Sequence, residues 1–492
     1  MFRLSGGLSV TADADGHVRS RYAVTAACAA SLGGFLFGFD TAVINGGVQA
    51  IRTHFHTSAL ATGLAVSAAL LGSALGAMIA GRLADRVGRV RSMIVAAAIF
   101  VLTAVGSGLA PSLGALTAWR VAGGIAIGLA SVLAPAYIAE ISPAAIRGRL
   151  GTLQQMAIVL GIFAAILGDY LFATAAGGAD QVLGFGLEAW RWMLISAAVP
   201  GAVYLLTVLR IPESPRYLIA RGRTEQASEV LRRFVGAREA PGRLKEIGRT
   251  LTTERAATWS SLRGSALGLA PIVWIGILLS VFQQFVGINV IFYYSSTLWQ
   301  AVGFSESDAL LISVIGAVIN VGATVVAIRA VDRVGRKKLL VIGSALMAVT
   351  MGVMAGVFAT APVTGGEPHL SGVAAMFALV AANVYVFAFG MSWGPVVWVL
   401  LGEMFPNRIR ALALAVAAGA QWGANWLVTM SFPALAASSL GAAYGIYTMF
   451  AVVSFFFVVA KVRETKNVEL EDMEALYARP SPLVGQRLGS SS

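Results

Sequence analysis

Asp40 and Arg120 are ionisable side chains set in sequence too apolar to solvate them. Asp40 ends the run Gly33-Gly34-Phe35-Leu36-Phe37-Gly38-Phe39, and Arg120 opens Arg120-Val121-Ala122-Gly123-Gly124. A charge at membrane depth is costly and by default marks a proton or ion path. An acid balanced between a neighbouring guanidinium and desolvation can be set to load and release a proton. The plain alternative is a permanent ion pair that braces two helices.

Amides form the second group. Gln283-Gln284-Phe285-Val286-Gly287-Ile288-Asn289 is followed by Tyr293-Tyr294. Gln421 and Asn425 share one helix face with Trp422 beside them, and Gln154, Gln155 and Asn320 complete the polar set. Amides both donate and accept, so they suit a neutral polyhydroxylated ligand better than an ion. Trp398, just after Gly394-Pro395, offers a face that can stack on the apolar side of a sugar ring. Gln283 and Asn289 are six residues apart, about 240° around an ideal helix. A straight helix cannot aim both into one cavity, so the chain is expected to unwind near Gly287, with a second break at Gly394-Pro395. Against this, buried amides can serve only to bond neighbouring helices.

The third group is duplicated. Gly81-Arg82-Leu83-Ala84-Asp85-Arg86-Val87-Gly88-Arg89 returns as Arg329-Ala330-Val331-Asp332-Arg333-Val334-Gly335-Arg336-Lys337, at an offset of 247. Glu140-Ile141-Ser142-Pro143 with Arg147 returns as Glu403-Met404-Phe405-Pro406 with Arg410, at an offset of 263. Glu213 with Arg216 is echoed by Glu464 with Lys466, Glu213 and Glu464 being 251 apart. Each charge alone reads as a solvated surface residue. Together Asp85, Arg89, Glu140, Arg147, Glu213, Arg216, Asp332, Arg336, Glu403, Arg410 and Glu464 read as a gating network, with bridges across the bundle that form and break.

The elements that must carry these groups are membrane helices. Hydrophobic residues make up 57% of the 492-residue chain and charged ones 12%, against roughly 25% charged in soluble domains. Apolar runs long enough for a hydrocarbon core of about 30 Å recur at 23–48, 60–80, 92–110, 116–139, 150–172, 190–210, 271–298, 308–330, 338–360, 372–402, 409–433 and 440–462. The expected organisation is a tail (1–20), a six-helix half (21–210), a linker (211–270), a second six-helix half (271–462) and a second tail (463–492). In the linker, Ala227, Val230, Leu231, Phe234 and Val235 follow helical spacing. Two to four short helices are expected there, or else a flexible tether. The second tail is expected to form a short acidic helix through Glu469, Glu471, Asp472 and Glu474, with 478–492 disordered.

Charge sets the orientation. The net charge of +12 is concentrated in loops after even-numbered spans and in the linker, where Arg216 to Arg263 supply eleven basic residues. Loops after odd-numbered spans carry Asp180, Glu188, Glu306 and Asp308 instead. This positive-inside pattern puts both termini and the linker in the cytoplasm and speaks against a nucleic-acid partner. Asp40 lies about 17 residues, roughly 25 Å of helix, into the first span, and Arg120 about one turn into the fourth. Entered from opposite sides, both reach the outer half, so each is the other's expected partner. Cys28 is the only cysteine, and His17, His54, His56 and His369 have no partners at metal spacing. No metal site, cofactor or nucleophile–base constellation is expected, and hence no enzyme. Duplicated halves with basic loops are the outline of a secondary transporter.

Over residues 22–475 the chain resembles the sugar porters of the major facilitator superfamily. The landmarks are Gly34 to Asn45, Gly81 to Arg89, Arg120 to Gly124, Glu140 to Arg147, Pro212 to Arg216, Gln283 to Asn289, Trp393 to Trp398 and Gln421-Trp422. It is similar to bacterial xylose–proton symporters. In Glu403-Met404-Phe405-Pro406-Asn407-Arg408 and Tyr293-Tyr294-Ser295-Ser296-Thr297-Leu298-Trp299 it is more similar to actinobacterial glucose permeases.

The resemblance implies an all-α integral membrane protein of twelve transmembrane helices in two pseudo-symmetric halves. It implies that Gln155, Gln283, Gln284, Asn289, Trp398 and Gln421 hold the sugar, with Tyr293, Asn320, Trp422 and Asn425 nearby. It makes Asp40 the proton site and Arg120 its partner; facilitative uniporters usually carry Asn at the first position. Ile162 stands where the xylose symporter has a second glutamine and the human facilitative glucose transporters have Ile, which favours glucose. Arg463-Glu464-Thr465-Lys466 lacks the family's usual Pro before Glu. The expectation is a monomeric plasma-membrane importer of a monosaccharide, glucose foremost, coupled to protons and surrounded by lipid. A proton-independent uniporter and a transporter-like sugar sensor are the alternatives, and the short second tail speaks against the sensor.

Overall fold

The computed structural model of the chain describes residues 21–141, 147–253, 259–264, 266–364, 367–368, 370–406 and 409–466. The acidic tail helix, the tail at 478–492, His17, His369 and the side chain of Arg147 lie outside the described residues.

Hydropathy becomes helix nearly throughout. The first six spans are α1 (Arg21–Ala42) with the short α2 (Val48–His54), α3 (Ala59–Val87), α4 (Arg89–Gly108), α5 (Leu113–Ile141), α6 (Arg147–Ala176), and α7 (Ala189–Ser196) continued by α8 (Ala198–Val208). The linker forms α9 (Pro215–Ala220), α10 (Thr224–Val235), α11 (Ala240–Thr253) and a 3-10 turn at Trp259–Leu262. The last six spans comprise α12 (Pro271–Phe285), α13 (Ile288–Tyr293), α14 (Ser295–Ala301), α15 (Glu306–Val334), α16 (Arg336–Ala359), α17 (Gly372–Met391), α18 (Trp393–Met404), α19 (Arg410–Ser438) and α20 (Leu440–Lys461).

Eleven of these stretches are long and apolar enough to cross a membrane. The twelfth crossing is α19, as long as α3 and α15 at 29 residues. Gln421, Trp422, Asn425 and Trp426 interrupt its apolar run, and three of them are candidate ligands.

Four spans differ from the uninterrupted helices that hydropathy predicts, the sixth being interrupted at Ala197. The first stops at Ala42, and a turn over Val43 to Gly47 precedes α2. The seventh breaks at Gly287, as expected, and again at Tyr294. The tenth breaks at Ser392 (φ −131°, ψ −86°), ahead of the expected Gly394-Pro395. Pro395 therefore falls in the first turn of α18, where its missing N–H leaves no intrahelical bond unmade.

Close glycine contacts set the helix spacing. A Cβ on Gly38 of α1 would lie 1.9 Å from the Ile158 carbonyl of α6, and one on Gly161 would lie 2.1 Å from the Phe35 carbonyl. Only a hydrogen fits, so α1 and α6 pack backbone to backbone. The halves meet where α3 packs on α19 and α6 on α15. The linker is no loose tether: Ala227, Val230, Leu231, Phe234 and Val235 are all buried. Phe234 packs on Tyr22 at 5.3 Å, and the Tyr137 hydroxyl donates to the Pro212 carbonyl at 2.8 Å.

Candidate functional site

Asp40 and Arg120 meet as depth arithmetic predicts. Arg120 Nη1 reaches Asp40 Oδ1 at 2.9 Å, and Nη1 and Nη2 also lie 3.4 and 3.3 Å from the Asp40 carbonyl. Both residues are buried. Among the described residues Asp40 Oδ2 has no hydrogen-bond partner. One carboxylate oxygen is thus held by the guanidinium and the other is unclaimed.

The break at Gly287 assembles the amides. Gly287 is left-handed (φ 90°, ψ 15°), and a Cβ there would stand 2.9 Å from the Tyr447 ring. Turning the chain here carries Asn289 back toward the residues before the break, so its Nδ2 donates to Gln284 Oε1. Gln284 Nε2 donates to Gln283 Oε1 at 3.3 Å. Gln283 Nε2 donates to the carbonyls of Trp393 and Gly394 at 2.8 and 3.2 Å. The three amides therefore form one chain that ends on the broken tenth span.

The other expected ligands have surroundings of their own. Asn425 accepts from Thr429 at 3.1 Å, while Gln421 Oε1 is buried without a partner among the described residues. Trp422 meets Phe37 of α1 edge-on at 5.5 Å, a contact between the halves. The Tyr293 hydroxyl lies beside Asn425 and Thr41, in the field of Asp40 and Arg120, and so stands between the amides and the ion pair. On α6, Gln155 is half-buried and Ile162 sits where Gly38 crosses, 3.0 Å from that glycine's Cβ position to the Ile162 nitrogen. Asn320 is drawn off toward Gly390, whose Cβ position lies 2.7 Å from its Oδ1, and Trp398 is 41% exposed.

The duplicated charges form two matching clusters. Arg89 bridges Asp85 at 3.1 Å and Glu140 at 3.2 Å; Arg336 bridges Asp332 at 3.0 Å and Glu403 at 2.7 Å. Glu213 accepts from the Arg89 N–H at 2.8 Å, and Glu464 from the Arg336 N–H at 2.9 Å. Each carboxylate thereby caps a helix N-terminus, where a negative charge is favoured. Gly88 (φ 110°) and Gly335 (φ 99°) make room, since a Cβ would come within 2.3 and 2.5 Å of the capping oxygens. Two hydroxyls complete the pattern: Ser214 donates to Glu140, and Thr465 to Glu403 at 2.5 Å. Every one of these contacts stays within one half or ties it to the linker or tail segment that follows it, whereas the sequence suggested bridges across the bundle. Arg410 donates to the Phe405 carbonyl at 3.1 Å, also within its half, and Arg216 lies on α9.

Two sets of hydrogen bonds that cross the halves lie on the opposite face and were not legible in the sequence. Ser296 N–H donates to Asn45 Oδ1 at 3.0 Å, and Ser296 Oγ to the Asn45 carbonyl at 2.5 Å. The Ala179 N–H donates to Glu306 at 3.0 Å. Nearby, Glu188 holds Arg191 at 2.7 Å and His54 at 2.9 Å. Burial alone would push the Glu188 carboxyl up, but the Arg191 hydrogen bond and charge outweigh it and hold the group below its ordinary range. No group of three or more potential metal ligands occurs among the described residues.

This architecture matches known proteins along nearly its whole length. The family described as "Sugar (and other) transporter" matches residues 26–477. A glucose transport protein of Synechocystis is 54% identical over 446 residues, covering 90% of this chain and 95% of that one. The D-xylose–proton symporter of Escherichia coli is 38% identical, covering 93% and 96%. The solved structure of the E. coli xylose transporter in its inward-open conformation superposes with a TM-score of 0.78 at 36% identity, covering 92% of this chain and all of that one. The same transporter bound to 6-bromo-6-deoxy-D-glucose gives 0.76 at 37% identity, covering 93% and 99%. With the family match running over residues 26–477 and relatives this similar along nearly their whole length, the chain belongs to the sugar transporter family of the major facilitator superfamily.

Proposed function

We propose that this protein is a monosaccharide–proton symporter with glucose as its first substrate, and that it works by alternating access. The observation that carries the coupling is the buried Asp40–Arg120 pair with Asp40 Oδ2 unclaimed. In this reading Oδ2 is the oxygen that takes the proton. Neutralising Asp40 weakens its hold on Arg120 and, through Thr41 and Tyr293, alters the surface offered to the sugar.

Gln283, Gln284, Asn289, Gln421 and Asn425 supply the donors and acceptors for sugar hydroxyls, with Gln155, Tyr293, Trp422 and Trp398 around them. Asn320 acts behind them by seating α15 on α17. A neutral sugar matched by paired amides is favoured, because a missing hydroxyl would strand a buried polar group. Ile162 and the 54% identical glucose transport protein favour glucose over xylose; the motifs from Tyr293 to Trp299 and Glu403 to Arg408 favour a glucose permease as well.

The positive-inside distribution of basic loops supports a cytoplasmic position for the charge clusters and both termini. In that orientation the Asn45–Ser296 and Ala179–Glu306 contacts close the outside, which agrees with the likeness to an inward-open structure. The clusters then act as rigid corners of each half, and rocking of the halves exposes the site to either side. The protein acts as a monomer in the plasma membrane and needs no cofactor.

Uptake of labelled glucose and xylose into proteoliposomes, with and without an inward proton gradient, tests the proposal. Gradient-dependent accumulation of glucose and sugar-dependent alkalinisation of the medium are the expected outcomes. Equal uptake with and without the gradient would make the protein a uniporter and Asp40–Arg120 a brace.

A further inference from the structure

Among the described residues Asp169 is the one buried acid inside a span apart from Asp40, and neither the proton pair nor the amide site uses it. It lies near the outer end of α6. Its Oδ2 accepts from the Gly46 N–H at 2.9 Å, and its Oδ1 has no partner among the described residues. The approach is close: a Cβ on Gly46 would stand 2.6 Å from the Asp169 Cβ.

Gly46 belongs to the turn that ends the first span, and its neighbour Asn45 makes the Ser296 contacts across the halves. Asn45 is fully buried, and its carbonyl and Oδ1 both accept from Ser296. For those two acceptors to meet one serine, the turn must be held at a fixed height and rotation. Within the turn, Gly47 packs on Trp190, and Gly46 hangs on Asp169.

We propose that Asp169 is a positioning residue for the outer closure: its carboxylate holds the Asn45-Gly46 turn where Asn45 closes onto Ser296. The role asks for an acceptor at Oδ2, which an asparagine oxygen also supplies. Removing the acceptor leaves a buried N–H unpaired, frees the turn and shifts the halves toward the outward-open state. A two-state element moves only as far as its two states differ in free energy, and the loss of one buried hydrogen bond corresponds to roughly a tenfold change in the ratio. The consequence for transport rests on the symport reading above, but the closure itself does not.

The test measures distance across the outer face without sugar. Nitroxide labels at Gln181→Cys and Ser307→Cys, both exposed and adjacent to the Ala179–Glu306 contact, are introduced in a Cys28→Ser background in the full-length protein. Asp169→Asn is expected to keep the parent distance distribution. Asp169→Leu and Ser296→Ala are each expected to shift the short-to-long ratio about tenfold toward long, and the double variant to shift it no further. Gly46→Ala, which leaves α6 intact but forces the turn off Asp169, is expected to do the same and stands in should Asp169→Leu not fold. An unmoved distribution in Asp169→Leu or Gly46→Ala overturns the proposal. So does an Asp169→Asn shift as large as that of Asp169→Leu, or shifts that add in the double variant. Proteoliposomes of the unlabelled parent that take up no sugar would overturn the symport reading and leave the distance result standing.

Discussion

Arg120 holds Asp40 at two places, the carboxylate Oδ1 at 2.9 Å and the main-chain carbonyl at 3.3 Å. The second contact does not depend on the charge of Asp40. Arg120 therefore has an anchor on α1 that survives protonation, and the pair can loosen without the two helices parting.

Asp40→Asn should abolish accumulation of sugar against a gradient while preserving exchange of labelled for unlabelled sugar. The amide keeps the shape and the carbonyl contact but cannot load a proton. Counterflow and gradient-driven uptake measured on the same vesicles check this. Asp40→Asn vesicles that concentrate sugar to the parent level would remove Asp40 from the coupling.

Gln284→Ala and Asn289→Ala should each weaken sugar binding by about 1–3 kcal/mol, the cost of leaving a buried hydroxyl unpaired. Since Asn289 donates to Gln284, the two losses should not add fully. Calorimetry on both single variants and the double variant reads affinity directly. Affinity unchanged in both would mean that these amides only bond the broken helix to its neighbours.

Glu140→Gln should slow net transport while leaving sugar affinity within a few-fold. Glu140 takes Arg89 at 3.2 Å and the Ser214 hydroxyl, so its charge sets the corner where α4, α5 and the linker meet. Loosening that corner should raise the labelling rate of a thiol placed in the inner cavity. Normal transport and a parent labelling rate together would reduce the cluster to surface charge.

Glu188 gives the protein an acid-sensitive brace on the face opposite the charge clusters. Its carboxyl is held below the ordinary range, so it favours folding above the unfolded value of about 4.3. That contribution is lost as pH falls through the folded value. The melting temperature of the parent should exceed that of Glu188→Gln at neutral pH, and the gap should close on acidification. A gap that is constant with pH would show that the Arg191 bridge contributes nothing.

Local properties were readable from the chain alone. Apolar runs marked where the long helices lie, because burial in lipid acts on each segment separately. The angular mismatch between Gln283 and Asn289 located the break at Gly287, because helix geometry fixes direction from spacing. Depth counting paired Asp40 with Arg120 across 80 residues. What tertiary structure alone decided is which partner each repeated or isolated polar group takes. The charges of Arg89 and Arg336 recur in sequence, and recurrence fits bridges within a half as well as bridges between halves. Only the rotation of each helix selects Glu140 for the one and Glu403 for the other. Asn45 and Ser296 lie 251 residues apart, and Asp169 lies 123 from Gly46. No period or composition joins such pairs, since a hydrogen bond needs atoms placed to a few tenths of an ångström, and that placement comes from the packing of whole helices.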